Sequence, residues 1–409
     1  MKATAWMREI STDQRRALVA AALGWMLDSM DVMLYAMVLA HLMRDLKMST
    51  ATAGLLGSLT LLASAVGGVL FGILADRVGR TRALMASILV YSIFTAACGV
   101  AQTIGQLALF RVLLGLGMGG EWATGAALVA ETWPPEHRGK ALGLMQSSWA
   151  IGYALAAGIT ALVLPRFGWR AVFFVGIAPA LVTVWIRHSL REPDIWQRSR
   201  HTRTSSRPSL MEIFRYPLRR HTLTTTLMNA SSMFAWWGLF TWIPPFLALP
   251  PEKGGAGLSI VQTSTWVILM QAGMWVGYVT FGFISDSIGR KPTYIAYLLA
   301  AALLVPLYGM TRHPTVLLLL GPLVAFFGTG YFSGFGAITA ELFPTSIRAT
   351  AQGFTYNIGR GASALAPFTI GSYAETHGLG LAFMITAAAY LLAALIAFAL
   401  PETKGKALD

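Results

Sequence analysis

The stretch GILADRVGR, from Gly72 to Arg80, recurs 210 residues later as GFISDSIGR, from Gly282 to Arg290. A second stretch follows the same rule: AETWPPEHRGKALG (residues 130–143) recurs at the same offset as AELFPTSIRATAQG (residues 340–353). Because two unrelated stretches share one offset, we interpret the chain as two copies of one structural unit. This repeat decides the fold and separates scaffold residues from candidates for function.

The composition indicates a membrane protein. The chain has 409 residues, of which 55% are hydrophobic and only 12% are charged, whereas soluble domains carry about 25% charged residues. Apolar runs of about 20 residues are long enough to cross a bilayer. We therefore predict an all-α membrane protein with twelve transmembrane helices in two pseudo-symmetric six-helix bundles. The predicted spans, called passes 1 to 12, are 16–41, 51–75, 83–101, 104–127, 141–164, 169–190, 220–248, 259–284, 293–311, 315–339, 349–372 and 379–400.

The repeat divides the chain into an N-terminal bundle (residues 1–190), an arginine-rich linker (191–219) and a C-terminal bundle (220–409). The two copies have the same orientation, an arrangement in which substrate binds between the halves near the bilayer midplane. Most basic residues lie on the side of the termini and the linker. By the positive-inside rule we expect both termini to be cytoplasmic, in a cell inner membrane.

The net charge of +13 is concentrated in the linker region, which holds eight arginines. They are residues 191, 198, 200, 203, 207, 215, 219 and 220. The favoured interpretation is a cytoplasmic loop near anionic lipid; a regulatory or nucleic-acid site is the alternative, and we expect no nucleic-acid partner. The single cysteine, Cys98, excludes a disulfide framework and a cysteine metal site. We expect a monomer without metal or cofactor, with the proton as coupling ion.

Several motifs resemble one family. GILADRVGRTR (residues 72–82) is similar to the signature loop of the major facilitator superfamily, and PETKG (401–405) fits the same family. Within it, the chain resembles proton-coupled organic-acid permeases, the group of bacterial sialic acid permeases and fungal lactate permeases. The motifs are RVLLGLGMGGEW (111–122), GWRAVFFVGIAPA (168–180), REPDIW (191–196) and YNIGR (356–360). The resemblance implies twelve helices and proton-coupled uptake of an organic acid.

Charged residues that occur in both copies are expected to maintain the scaffold or the gates. The matched pairs are Asp76 and Asp286, Arg80 and Arg290, Glu131 and Glu341, and Arg138 and Arg348. Asp76 and Arg80 are four residues apart at a helix boundary, a spacing that suits an ion pair and helix-end capping. We therefore assign this set to a latch between conformations.

Charged residues without a counterpart are candidates for transport chemistry. They are Asp28, Asp31, Arg111, Glu121 and Arg360, whose counterparts are Gly238, Thr241, Gly321, Tyr331 and Ala150. Asp28 and Asp31 share one face of pass 1 near its midpoint, and two such close carboxyls do not titrate independently. We predict that at least one of them couples transport to protons, with Glu121 as a second candidate. The alternative is that each acid only accepts hydrogen bonds.

The two unmatched arginines need anionic partners. Arg111 lies ten residues, roughly 15 Å, from Glu121 on pass 4, so we expect its counter-ion on pass 1. The resemblance implies that it perturbs a proton-carrying acid; a structural ion pair is the alternative. Arg360 lies near the middle of pass 11 and suits a substrate carboxylate, or a salt bridge to Asp28 or Asp31. Other predicted substrate contacts are Gln146, Trp149, Tyr153, Asn229, Trp237, Gln271, Tyr356 and Asn357.

These observations predict a secondary active transporter that imports an organic monocarboxylate with protons by alternating access. The acid could be lactate-like or pyruvate-like, a sugar acid or an aromatic acid. A proton-coupled exporter of drugs or cations and a sugar or polyol carrier are the alternatives, but neither explains Arg360. A membrane sensor lacks an appended signalling domain here. An enzyme is not expected, because the sequence shows no nucleophile, metal or nucleotide motif.

Overall fold

The computed structural model describes residues 10–133, 135–192, 210–344 and 347–404. They form fifteen α-helices, joined by short turns. The helices are α1 (Thr12–Asp45), α2 (Thr50–Val78), α3 (Arg80–Cys98), α4 (Ile104–Thr132), α5 (Pro135–Val175), α6 (Pro179–Ser189), α7 (Leu218–Phe240), α8 (Ile243–Ala248), α9 (Ile260–Ile288), α10 (Arg290–Met310), α11 (Pro314–Gly330), α12 (Phe332–Leu342), α13 (Arg348–Ser363), α14 (Leu365–His377) and α15 (Leu379–Ala397).

These helices build the predicted twelve passes. Within the described residues, nine helical segments are long and apolar enough to cross a membrane. One of them, 141–186, contains both pass 5 and pass 6, because α5 runs through a turn at Gly168 (φ 74°) where the chain reverses. Pass 7 is α7 with α8, and pass 11 is α13 with α14. The twelve-helix fold is therefore confirmed.

Four passes that we predicted as continuous helices are interrupted, and the first of them, pass 6, breaks between Val175 and Pro179. Pass 7 breaks after Phe240, just before Pro244 and Pro245, and pass 11 breaks at Ala364, just before Pro367. Proline has no N–H to donate and its ring clashes with the preceding turn, so a helix is disrupted in the residues before it. Pass 10 breaks at Tyr331, next to glycines of low helix propensity.

The surface of the bundle is apolar where lipid is expected. Large hydrophobic side chains point outward along the passes, among them Leu162, Leu181 and Phe283, each exposed by 70% or more. Charged side chains concentrate at the two ends of the passes instead. An even number of passes returns the chain to its starting side. We call the face where α1 begins and α15 ends the proximal face, and the opposite one the distal face.

The halves meet along two interfaces that the repeat makes equivalent, α2 against α14 and α5 against α9. Near the distal face the backbones almost touch, since a Cβ atom on Gly54 would lie 2.2 Å from the carbonyl oxygen of Pro367. Glycines of α4 allow the same close approach of helix backbones inside the first half. A Cβ atom on Gly119 would lie 1.9 Å from the carbonyl oxygen of Ser64, which confirms the close packing expected of that glycine-rich helix.

Candidate functional site

Two aspartates lie in the interior of α1. The side chains of Asp28 and Asp31 are each 1% exposed, and they are electrostatic neighbours of one another. Both carboxylate oxygens of Asp31 and one of Asp28 have no hydrogen-bond partner among the described residues. Thr95 of α3 lies within hydrogen-bonding reach of Asp31, so the alternative that these acids accept hydrogen bonds from neighbouring helices stays a prediction.

Glu121 completes the acidic side of the site. Its side chain is fully buried and points from α4 towards α1, where Gly24 leaves room for it. A Cβ atom on Gly24 would lie 2.4 Å from Glu121 Oε1. Both carboxylate oxygens of Glu121 lack a hydrogen-bond partner among the described residues. Three carboxyl groups from two helices of the first half thus converge in the interior.

Arg360 brings the opposite charge from the second half. It lies in the last turn of α13, is 5% exposed, and interacts electrostatically with both Asp28 and Glu121. Within the described part of the chain, no carboxylate oxygen comes within the 4.0 Å of a salt bridge, and its Nη2 has no hydrogen-bond partner. We call Asp28, Asp31, Glu121 and Arg360 the central charged cluster.

Arg111 does not have the counter-ion that we expected on pass 1. Its guanidinium is 2% exposed and lies over the ring of Tyr35, 3.6 Å from the centroid, with no carboxylate within salt-bridge distance in the described ranges. Its Nε and Nη1 have no hydrogen-bond partner there. A buried cation–π contact supplies about 2 kcal/mol, whereas burying an unpaired ion costs several kcal/mol. The ring alone therefore does not offset the burial of this charge.

Tryptophans from both halves pack together in the interior. The ring of Trp149 on α5 lies 4.6 Å from Trp25 of α1, and 5.8 Å and 6.0 Å from Trp236 and Trp237 of α7. We call these four residues the tryptophan cluster. The indole N–H groups of Trp25 and Trp149 are buried and have no acceptor among the described residues. Unused donors among aromatic rings are suited to a planar ligand that carries oxygen acceptors.

A stacked aromatic pair lies next to the central charged cluster on its proximal side. Trp122, which follows Glu121, and Tyr356, one turn from Arg360, stack with centroids 4.2 Å apart and an interplanar angle of 7°. Trp122 Nε1 also donates to Gln146 Oε1 (3.4 Å). Since these side chains come from both halves, the pair joins the halves on the proximal side of the cluster.

The other predicted substrate contacts differ in how free their polar groups are. The Tyr153 hydroxyl donates to the Phe240 carbonyl (2.9 Å) and Asn229 Nδ2 donates to the Thr355 carbonyl (3.1 Å), so both hold helices together. Asn357 faces Gly68 across the interface between the halves. The buried Oε1 of Gln271 has no hydrogen-bond partner among the described residues. The Gln271 Oε1 therefore remains available to accept a hydrogen bond from substrate. The Tyr153 hydroxyl and the Asn229 Nδ2 are already used within the protein.

Sequence reasoning missed residues that the structure places in the site. Tyr91 of α3 is fully buried among Asp28, Asp31 and Glu121, and its hydroxyl donates to the Gly24 carbonyl (3.4 Å). Trp25 and Trp122 were also missed. The counterparts of these three residues at the 210-residue offset are Ala301, Ala235 and Phe332. Extending the search for unmatched residues from charged to aromatic side chains would have found Tyr91 and Trp25, but not Trp122, whose counterpart Phe332 is also aromatic.

The matched charges lie at the proximal face, as ion pairs within each half. Arg80 pairs with Glu131 (2.8 Å), and Arg290 pairs with Glu341 (3.4 Å). Arg290 also pairs with Asp286, the ion pair expected from the four-residue spacing. We call these five residues the proximal clamp. The side chains of Asp76, Arg138 and Arg348 lie outside the described residues, as does most of the arginine-rich linker (193–209).

A further matched pair, unnoticed in the sequence, caps two helices. Glu192 accepts hydrogen bonds from the backbone N–H groups of Thr81 and Arg82 (both 3.2 Å) at the start of α3. Glu402, 210 residues later, accepts from Arg290 and Lys291 (2.9 and 3.1 Å) at the start of α10. Partial burial alone would raise the pKa of Glu402, but backbone N–H donors, including those of residues 403 and 404, hold it below the ordinary value.

Comparison with known proteins agrees with this architecture. The family model of the Major Facilitator Superfamily matches residues 21–250 and 246–408. The chain is 32% identical to the cis,cis-muconate transport protein of Acinetobacter baylyi, covering 93% of this chain and 92% of that protein. It is 30% identical to the sialic acid transporter NanX of Escherichia coli, covering 98% and 97%, so the resemblance to sialic acid permeases is confirmed.

Among solved structures, the D-xylose-proton symporter superposes with a TM-score of 0.76 at 20% identity, covering 96% of this chain and 99% of that one. This likeness supports the fold alone. The expectation that the chain is not an enzyme is confirmed, because the family and these relatives are transporters. The chain is therefore a multi-pass membrane protein that belongs to the Major Facilitator Superfamily of transporters.

Proposed function

We propose that this protein imports an organic monocarboxylate together with protons by alternating access. The proposed binding site is the central charged cluster with the tryptophan cluster beside it. The observation that carries the proposal is Arg360, a buried guanidinium that lies near two acids but forms no salt bridge with either among the described residues. A guanidinium cannot lose its proton in a protein, and its fork of donors matches a carboxylate.

The charge balance of the cluster supports coupling to protons. It holds three carboxyl groups and one guanidinium, so full ionisation leaves two negative charges uncompensated away from water. An anionic substrate adds a third. Because uncompensated buried charge costs several kcal/mol per ion, protons on Asp28, Asp31 or Glu121 supply the balance. A carboxylate therefore enters the closed site more readily when a proton enters with it.

The tryptophan cluster supports a planar or conjugated acid over lactate. Aromatic rings gain most from flat ligands that can stack against them, and the free indole N–H groups can donate to further oxygens of the ligand. A transport protein for cis,cis-muconate, a conjugated dicarboxylic acid, is among the relatives, and its flat conjugated chain is the feature that supports this choice. A sugar acid is the second candidate, since the relative NanX is a sialic acid transporter.

The proposed cycle uses the two closures around the site. The residues of the central charged cluster are buried, α2 packs on α14 towards the distal face, and Trp122 stacks on Tyr356 on the proximal side; we take these two contacts as the closures of the cycle. The basic residues of the proximal face support a cytoplasmic position for that face in the cell inner membrane. Substrate and protons would enter from the distal face and leave when the stack separates, with the protein acting as a monomer.

A transport assay in proteoliposomes tests this function. Purified protein is reconstituted with a pH-sensitive dye in the lumen and is presented with N-acetylneuraminate, a monocarboxylate that carries charge and crosses lipid slowly, and with the dicarboxylate cis,cis-muconate for comparison. We expect lumenal acidification that saturates with substrate and accumulation driven by an inward proton gradient. Empty liposomes and Arg360→Ala protein are the controls for passive flux.

Two outcomes would contradict the proposal. Uptake of acids without any change in lumenal pH would support an uncoupled carrier. Proton flux that responds to organic cations or to polyols, and not to acids, would favour the exporter or the polyol carrier instead. Each alternative leaves Arg360 without a role in substrate binding.

A further inference from the structure

A second buried arginine lies in a cavity between the halves. The cavity lies between the central charged cluster and the distal face, and Arg111 lines it. One wall comes from the first half, including Tyr35 and Thr60, and the other from the second half, including Trp237, Thr241 and Pro367. Because the walls belong to different halves, parting of the halves at the distal face would widen this cavity and connect it to solvent.

The charge in this cavity is uncompensated. The Arg111 guanidinium is 2% exposed, and its Nε and Nη1 find no acceptor within the described part of the chain. The Tyr35 ring covers one face of the guanidinium, and the Tyr35 hydroxyl is already used, donating to the Ala53 carbonyl (2.8 Å). A permanent cation with free donors in a cavity is suited to a planar anion such as a carboxylate.

This cavity is distinct from the surroundings of Arg360, which is not among its lining residues. Arg111 lies ten residues from Glu121 on the same helix, roughly 15 Å along its axis. Glu121 is an electrostatic neighbour of Arg360. Arg111 is also only seven residues from the distal end of α4, roughly 10 Å. A carboxylate on its way from the distal face would therefore meet Arg111 first and Arg360 second.

We propose that Arg111 forms a transit site, a second carboxylate-binding site that substrate occupies before it reaches Arg360. This inference rests on the proposed function and extends it. The occupant is the carboxylate of the transported acid, attracted by the buried charge and released when the halves close and the cavity contracts. Arg111 thereby raises the rate at which substrate reaches the central charged cluster, without contributing to its final affinity.

Binding of radiolabelled N-acetylneuraminate, a monocarboxylate, to protein in nanodiscs tests the proposal. In Arg360→Ala protein we expect weak, saturable binding to remain, and we expect Arg111→Gln in that background to abolish it. Arg111→Lys keeps the charge and should retain part of the binding. Thr241→Val changes the opposite wall with nearly the same shape and should weaken the residual binding severalfold, which keeps the test informative if Arg111→Gln fails to fold.

Transport kinetics give an independent readout. In proteoliposomes with the distal face outward, Arg111→Gln should lower the rate of substrate association by about tenfold, the low end of electrostatic steering effects. The dissociation constant measured at equilibrium should stay within twofold of wild type, since association and dissociation fall together. Arg170→Gln is the matched control, because Arg170 is an exposed arginine near the distal face and its loss should leave the association rate unchanged.

Other results would overturn the transit site. Residual binding that survives Arg111→Gln, or a dissociation constant that rises with the loss of Arg111, excludes a separate site. Displacement of N-acetylneuraminate from Arg360→Ala protein by chloride, but not by gluconate at equal ionic strength, identifies a halide site instead. Wild-type protein that binds N-acetylneuraminate at one site only contradicts this inference and leaves the proposed function standing. Wild-type protein that binds neither this acid nor an aromatic monocarboxylate contradicts both.

Discussion

The carboxylate of Glu121 lies directly against Gly24 of α1, so closely that a Cβ atom on Gly24 would come within 2.4 Å of Oε1. We predict that Gly24→Ala displaces this carboxylate from Asp28 and Arg360 and lowers proton-driven accumulation on the order of tenfold or more, since small misplacements in a charged site have effects of this size. Initial uptake rates at matched protein amounts measure the effect.

Gly158→Ala is the control for this substitution. Gly158 also lies within a pass, on α5, but a Cβ atom there would meet nothing within 4 Å. Alanine is favoured over glycine in a helix by up to about 1 kcal/mol, so Gly158→Ala should leave transport unchanged and stability unchanged or slightly raised. Equal transport by the two variants would show that the position of Glu121 is not important.

Neutralising the acid that carries the proton should separate exchange from accumulation. Asp28→Asn, Asp31→Asn and Glu121→Gln each imitate a permanently protonated carboxyl. In the variant of the critical acid, we expect substrate counterflow to continue while accumulation driven by a proton gradient is lost, because the loaded carrier can reorient but cannot release the proton. Parallel counterflow and accumulation assays distinguish the three residues. Full accumulation in all three single variants and in the triple variant would refute coupling through these acids.

Arg360 can be tested with a double-difference cycle. Arg360→Ala should weaken binding of an acid by about 2–5 kcal/mol, the range for truncating one member of a buried charge pair. The corresponding amide should bind wild type poorly and lose little more in the variant, since it has no charge to pair. Arg360→Lys should also bind weakly, because lysine lacks the planar fork. Equal losses for acid and amide would assign Arg360 to the scaffold.

The cap at Glu402 predicts a pH-dependent loss of stability. Glu402→Gln should lower the free energy of unfolding by about 1 kcal/mol, as for the loss of a helix N-cap. The pKa of Glu402 lies below its ordinary value of 4.5, so its contribution is present above that pH and is lost as the pH falls below it. The thermal unfolding curves of wild type and Glu402→Gln should therefore converge in acid. Glu252→Gln, at an exposed glutamate near the distal face, is the control and should leave the unfolding temperature at neutral pH unchanged.

The internal repeat allowed much of this architecture to be predicted from the sequence. One offset of 210 residues distinguished the proximal clamp from the central charged cluster, because duplicated charges stayed at a face while unmatched charges lie in the interior. The helix breaks at Phe240 and Ala364 were harder to predict, because the apolar runs of passes 7 and 11 continue through them. The nearby prolines indicate these breaks, but a prediction from segment length and hydropathy alone does not take proline positions into account.

The site was predictable only in part, because its geometry is tertiary. Arg111 and Asp31 belong to neighbouring passes, yet the side chain beneath the Arg111 guanidinium is the Tyr35 ring and not a carboxylate. The stack of Trp122 on Tyr356 joins residues that are 234 positions apart in the chain, and no periodicity within either helix indicates it. Side-chain direction across an interface decides such contacts, and a single sequence does not record it.

The two capping glutamates carry a consequence for how the chain could be divided. Glu192, at the end of the first half, caps the start of α3 by accepting backbone hydrogen bonds, and Glu402, at the end of the second half, caps the start of α10 in the same way. Each half therefore contains its own capping contact. A gene cut between residues 193 and 209 would yield two polypeptides that each keep a capping glutamate, and we expect them to reassemble in the membrane when produced together.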